Sequence, residues 1–340
     1  MIRAPIVKLL LALLIAIATL SSPARTANAK DELVIGLTQF PSTFNPFIDA
    51  MVAKSYVLAM TRRPLVAYDQ NWNLVCMLCT EVPTIENGRA KPFDNPDGSR
   101  GIAITYTIHP KATWGDGTPV TSDDVVFAWE VGRHPKSAVD GTEYFRRVSR
   151  IEVHDSKTFT VYADKLTFNY AALYAFDPLP AHLERAAFMV DPEGYKRRPV
   201  YDADTTNPGL YYGPYRITQV EPGRRLVFQR VKNWWGADLP VNVGKYNFDR
   251  VEVDFYRDNH VAFEAFKAGE FDIFLENQAK NWATGYNFPA VLRGDVIRAE
   301  IPHRIPTQTQ ALFMNSRRDV FADRRVREAM GLMLDFEWSN

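Results

Sequence analysis

The sequence predicts a mixed α/β fold. Short runs of apolar–polar alternation recur along the chain, runs with helical spacing lie between them, and no repeat period or low-complexity tract joins either kind. With 340 residues and 46% hydrophobic content, the chain is long enough for two domains and apolar enough to bury real cores.

The first segment stands outside that fold. Residues 1–29 combine Arg3 and Lys8, an apolar run from Leu9 to Leu20, and the small-residue site Ala27-Asn28-Ala29, the pattern of a secretory signal peptide cleaved near Ala29. The run is short of the roughly 20 residues that span a bilayer, and Ser21, Ser22, Pro23 and Arg25 follow it directly. A soluble, periplasmic protein starting near Lys30 is the expectation. Cleavage removes three of the 40 bases and none of the 40 acids, and the resulting balance favours no nucleic-acid partner.

The remaining elements follow in order. Residues 32–38 place Leu33, Ile35 and Leu37 on one face of a first strand. Pro41 and Pro46 break the chain after it, Met51 to Met60 reads as a helix, and residues 63–75 read as two short strands about a turn at Asp69 to Asn73. Asn87 to Gly101, dense in Gly, Pro, Asn and Asp, reads as a polar loop. Beyond it Ile102, Ile104, Tyr106 and Ile108 alternate as a strand. Residues 150–164 read as a hairpin with Asp155, Ser156 and Lys157 at its tip, and Lys196 to Gly213 as a polar crossing between lobes. A second hairpin closes at Glu221, Pro222 and Gly223, a strand follows from Val251, and His260 to Gly269 reads as a helix. That helix carries Ala262, Ala265 and Phe266 on its core face and a glycine at its end.

The stretch from Thr113 to Glu130 packs Asp116, Asp123 and Asp124 among glycines, a proline and hydroxyls, as metal loops and acidic active sites do. Its spacing argues for architecture instead. Asp116-Gly117 is a turn signal and Pro119 stiffens the exit. Thr121 stands three residues before Asp124, the arrangement of a capping box, and both Asp123 and Asp124 suit the positive end of a helix dipole. Behind the cap, Val125, Ala128 and Trp129 share a face. A calcium loop needs acids at alternate positions and a distal Glu, which this stretch lacks. Either Asp123→Asn or Asp124→Asn is therefore expected to lower stability modestly and spare ligand binding.

Other chemistry finds little support. The histidines at 109, 134, 154, 182, 260 and 303 stand alone, and no metalloprotease, nucleophile-elbow, phosphate-loop or dinucleotide motif occurs. Neither a metal nor a cofactor is expected. Cys76 and Cys79 enclose Met77 and Leu78, where a redox motif prefers a polar or proline-containing insert at a strand-to-helix turn. A tight local disulfide or a half-buried thiol pair is the plainer reading. The aromatic content of 13% includes Tyr211-Tyr212 and Trp234-Trp235. Such rings suit cleft walls, but core or lobe contacts are the expectation for the tryptophan pair.

The Thr113–Glu130 stretch, "TWGDGTPVTSDDVVFAWE", resembles the signature of the family 5 extracellular solute-binding proteins, the peptide-binding components of ABC importers. Gly213 to Gly236 is similar to that family's hairpin with a Trp-Gly end, and Phe263 to Ile273 to its helix, Ala-Gly-Glu turn and Asp-Ile strand. Ala311 to Asp335 resembles the strand, loop and helix that open its second large lobe, with Asp323 as a cap and Val326, Ala329, Met330 and Met333 on one face. "VCMLCTEVPT", "LYYGPYRI" and "LDFEW" look closest to the Yej-type branch.

The resemblance implies a periplasmic binding protein-like two-lobe fold of the class II kind with an extra small domain. Residues 30–55 and 206–305 would form the first lobe, 56–205 the additional domain, and 306–340 the start of the second lobe. Family members are more than half as long again, so most of the second lobe is expected to be missing from the sequence as it stands. The resemblance further implies a monomer without catalytic activity. It would bind oligopeptides through main-chain hydrogen bonds and deliver them to an inner-membrane ABC permease and its ATPase. By analogy, Thr38, Gln39 and Phe40 after the first strand, and Gln278, Asn281 and Trp282 near the hinge, would face the ligand. Another solute, such as an opine, a sugar or a metal chelate, is the alternative within the family; a secreted hydrolase is the alternative outside it.

Overall fold

The computed structural model describes residues 31–197, 211–306 and 311–335. The signal-peptide reading and most of the expected 196–213 crossing lie outside these residues. The described elements run β1 (Glu32–Leu37), α1 (Val52–Thr61), β2 (Val66–Tyr68), β3 (Leu74–Cys76), β4 (Ala90–Asp94), β5 (Arg100–Thr107), α2 (Ser122–Arg133) and α3 (Thr142–Arg146). They continue with β6 (Val148–Val153), β7 (Thr158–Ala163), α4 (Tyr170–Leu173), α5 (Ala181–Val190), β8 (Tyr215–Glu221), β9 (Arg225–Arg230) and β10 (Arg250–Phe255). The last are α6 (Asn259–Ala268), α7 (Ala279–Thr284), α8 (Pro289–Arg293), α9 (Asp319–Ala322) and α10 (Arg324–Leu332).

One four-stranded sheet draws on both ends of the chain, in the order β1-β10-β9-β8, with β1 parallel to β10 and the rest antiparallel. Its first strand differs from the one-sided expectation. Leu33, Ile35 and Leu37 pack against the large core as their alternation predicts, while Val34 is buried on the opposite face with Phe263, Phe266, Phe271 and Phe288. A parallel pair covered on both faces explains why the polar half of the alternation is missing.

The second four-stranded sheet, β4-β5-β7-β6, is wholly antiparallel. Ile102, Ile104, Tyr106 and Ile108 are all fully buried, as the alternation of β5 requires. The segment read as a polar loop contains β4, which pairs from Ala90 opposite Ile104 to Asp94 opposite Arg100. It is an edge strand, where Pro92 and the charged Lys91 and Asp94 are tolerated because one row of main-chain groups faces solvent. The turns are confined to the two ends of β4: the start, where Gly88 N–H donates to Ile85 O at 3.1 Å, and the tip, Asn95 to Ser99.

The Thr113–Glu130 stretch forms a turn and the capped start of α2, and ties both to α5. Trp114 N–H donates to Thr118 O at 2.8 Å to close the turn, and Asp116 Oδ1 accepts Thr118 N–H at 2.8 Å. Thr121 caps α2, and the Asp124 carboxylate accepts Thr121 N–H at 2.8 Å. The same carboxylate also accepts Ala181 N–H, at the start of α5, at 2.9 Å and Trp114 Nε1–H at 3.2 Å. Asp124 is only 3% exposed, and burial pushes its carboxyl above the ordinary value against the pull of those donors. Asp123, by contrast, is a surface group paired with Arg185 at 2.8 Å. The two acids that the sequence makes look alike are thus a buried tie between three elements and a solvated ion pair.

Candidate functional site

β1 and β10 run in register and end together at Leu37 and Phe255. In open α/β sheets, ligands bind outside the carboxyl ends of parallel strands, and a crevice of about 270 Å³ lies against the end of β1. Its first wall is Gly36 to Gln39. Its second is the N-terminal half of α1, where Val52 and Tyr56 are 65% and 44% exposed. Buried Lys54 steadies that helix by donating from Nζ to Asn45 O at 2.9 Å and to Ile48 O.

The third wall is Phe274, Leu275 and Asn277, placed by pairing with β1. Val34 N–H donates to the Asp272 carboxylate at 2.8 Å, Asp272 N–H returns to Val34 O at 2.8 Å, and Ile273 bridges Ile35 in parallel. Gly36 permits this approach, because a Cβ there would lie 2.5 Å from the Phe271 ring. Asn259, at the start of α6, closes the rim by donating from Nδ2 to Asn277 Oδ1 at 3.3 Å.

A second depression of about 290 Å³ shares Leu37, Tyr56 and Leu275 with the crevice and continues over Met60, Phe228 and Ile273, walls that are almost entirely hydrocarbon. Among the residues lining the crevice are main-chain groups, a threonine hydroxyl and amides, with no carboxylate, histidine or cysteine. Such an arrangement holds a ligand by hydrogen bonds and apolar contact.

Thr38 and Gln39 line the crevice; Phe40 follows them but packs edge-on against Phe255 and Phe44, with ring centroids 4.8 and 6.2 Å away. Trp282 lines a different cavity, of about 520 Å³, with Tyr286, Glu276 and Arg298. The Arg298 guanidinium lies 4.9 Å over the Trp282 ring, and Tyr286 Oη donates to Glu276 at 3.3 Å. Burial and the neighbouring Glu276 carboxylate push the Tyr286 phenol up. Gln278 and Asn281 line neither cavity: Gln278 leads into α7 and accepts from Asn281 Nδ2 at 3.1 Å. The residue that reaches the crevice is their neighbour Asn277. Tyr56, Asn259 and Leu275 also escape sequence reasoning, because their placement depends on which segments pair with β1.

Cys76 and Cys79 are bonded to each other, with Cα atoms 5.2 Å apart. Cys76 ends β3, Leu78 is fully buried, and Cys79 bridges Ile108. The pair therefore leads from strand to bridge, where a redox motif would lead into a helix N-terminus. Trp234 and Trp235 both donate from Nε1 to Tyr212 O, at 3.0 and 2.9 Å, as structural contacts.

An α/β framework with a crevice at the carboxyl end of its parallel pair, lined by main-chain groups, a hydroxyl and amides, is the framework of a solute-binding protein. The chain belongs to the bacterial extracellular solute-binding proteins of family 5, whose middle-region model matches residues 95–340. It is 37% identical over 241 residues to a putative binding protein of Brucella melitensis, covering 70% of this chain and 37% of that relative. Two Agrobacterium fabrum proteins are also similar: the peptidoglycan-binding protein YepA, at 36% identity over 70% of this chain and 38% of its own length, and a probable peptide-binding protein YejA, at 34% over 69% and 38%. The chain thus spans well under half the length of these relatives. Its fold matches the oligopeptide-binding protein of Thermus thermophilus complexed with a pentapeptide. There the TM-score is 0.61 at 24% identity, covering 72% of this chain and 44% of that one.

Proposed function

We propose that this protein captures oligopeptides in the periplasm and delivers them to an ABC permease and its ATPase. The observation that carries the reading is the crevice itself. Main-chain groups at Thr38 and Gln39 lie beside the Tyr56–Leu275 apolar trough, which suits an extended ligand recognised by its backbone while its side chains find apolar room. One relative, the probable peptide-binding protein YejA of Agrobacterium fabrum, supports the same class of ligand. In this reading residues 30–55 and 206–305 form the first lobe, 56–205 the additional domain and 306–340 the beginning of the second. Thr38, Gln39 and the Phe40 main chain touch peptide directly, while Gln278, Asn281 and Trp282 border the hinge.

The test is peptide-dependent stabilisation without turnover. Mixed tri- to pentapeptides are expected to raise the melting temperature and to remain attached in native mass spectrometry. If they do neither, while an opine, a sugar or a metal chelate does, peptide capture is wrong and binding of that other solute takes its place.

A further inference from the structure

The crevice and the depression beside it divide their chemistry between them. The crevice offers main-chain groups of Gly36 to Gln39, the Thr38 hydroxyl and the amides of Gln39, Asn259 and Asn277. The depression, of about 290 Å³, exposes almost nothing but hydrocarbon, and no charged residue lines it. Leu37, Tyr56 and Leu275 line both, so the polar and apolar halves open into each other.

Three elements build the apolar half, each by its own period. On α1, Tyr56, Ala59 and Met60 fall at i, i+3 and i+4 and share a face. On β1, Ile35 and Leu37 are two apart and point to one side. The segment after Asp272 repeats that spacing with Ile273 and Leu275, and the parallel bridge holds Ile273 against Ile35. Tyr56, Ile273 and Leu275 are 44%, 43% and 61% exposed, and Ala59 is exposed as well. These side chains stand within reach of a ligand, above a floor of buried Val57, Phe228 and Val253.

Given peptide capture at the crevice, on which this rests, we propose that the depression is a specificity pocket that takes one large aliphatic or aromatic side chain of the bound peptide and rejects a charged one. With the peptide main chain against Thr38 and Gln39, the side chain that crosses the Leu37–Tyr56–Leu275 rim enters hydrocarbon. A leucine or phenylalanine there removes apolar surface from water on both partners. A carboxylate or ammonium gives up its hydration and finds no partner. The ligands so selected are peptides with a polar backbone contact and an apolar side chain side by side.

The experiment is titration calorimetry of the 340-residue chain with trialanine and with its single-position leucine, glutamate and lysine variants. Leucine at one position is expected to bind at least about tenfold tighter than alanine, since the longer side chain leaves water. Glutamate and lysine at that position are expected to bind no tighter than alanine. Ala59→Gln and Leu275→Gln, at exposed positions on two different walls, are each expected to lower the leucine-to-alanine ratio about threefold or more by setting an amide in the pocket. Equal binding by all the peptides, or tightest binding by a glutamate or lysine variant, overturns the pocket and leaves peptide capture standing. So does a ratio that survives both substitutions. Binding by none of the peptides at millimolar concentration overturns both. A chain that elutes as a dimer in size-exclusion chromatography, and as a monomer once Leu275 is replaced, gives the depression to a second copy and likewise overturns the pocket.

Discussion

Replacing Asp124 by asparagine tests the architectural role of the acidic stretch. The native carboxylate takes Thr121 N–H and Trp114 Nε1–H on Oδ2 and Ala181 N–H on Oδ1, at 2.8, 3.2 and 2.9 Å. An amide has one acceptor atom, so its NH2 must face at least one of these donors. The least damaging choice leaves Ala181 N–H unpaired against a second N–H, for a loss of about 2–4 kcal/mol. Asp123→Asn removes only a solvated pair with Arg185, whose Asp side chain is 60% exposed, a loss of about 0.5 kcal/mol. Urea unfolding of the two variants at pH 7, with a shared m-value, measures both. A difference between them below about 1 kcal/mol refutes the reasoning. The pH dependence supplies a second check. Because burial raises the native carboxyl above its unfolded value, the native state holds that proton more tightly. The stability linked to it is full below the usual carboxylate pKa near 4 and is lost as pH rises through the raised native value. The asparagine penalty is therefore larger near pH 4 than at pH 7; an increase with pH contradicts the assignment.

Further outcomes follow from single contacts. Gly213→Ala would place a Cβ 2.7 Å from the backbone of Thr61 and Arg62, neither of which can swing away, so a loss of about 3 kcal/mol or more, or no folded yield, is expected in thermal melts. Tyr56→Ala removes a 44%-exposed ring from the crevice wall. It is expected to weaken peptide binding about tenfold by calorimetry while moving the melting temperature little. Cys76→Ser opens a four-residue ring between neighbours in sequence. It is expected to lose at most about 2 kcal/mol in denaturant titration and to leave peptide affinity unchanged.

What could be read from residues alone was whatever their own periodicity decides. Ile102 to Ile108 is legible because a strand with one covered face writes that face into every second residue. The α6 helix is legible because Asp258 accepts Val261 N–H at 2.9 Å and Gly269 takes a φ of 79°, both local devices. β4 is illegible because Lys91, Pro92 and Asp94 carry no strand preference; only pairing with β5 makes them extended. The crevice divides the same way. Thr38 and Gln39 come from the family resemblance, which sets the loop after the first strand against the ligand, and they do line the crevice. Asn277, one residue from the Gln278 that analogy favoured, needs the knowledge that Asp272 and Ile273 lie along β1. Asp124 is intermediate: the capping box is local, whereas its bonds to Trp114 and Ala181 are not.

The bond from Val34 N–H to Asp272 links residues 238 apart, and this sets an order of assembly. As the chain is synthesised amino end first, the β4–β7 sheet, confined to Ala90 to Ala163, finds all its strands early. β1 must remain a bare edge until Arg250 to Phe255 and then Asp272 emerge, an interval in which it can pair wrongly. Gly36 and Leu37 acquire their neighbours only at that last closure. In refolding, ligand binding should thus return with the slowest phase, after the antiparallel sheet is already in place.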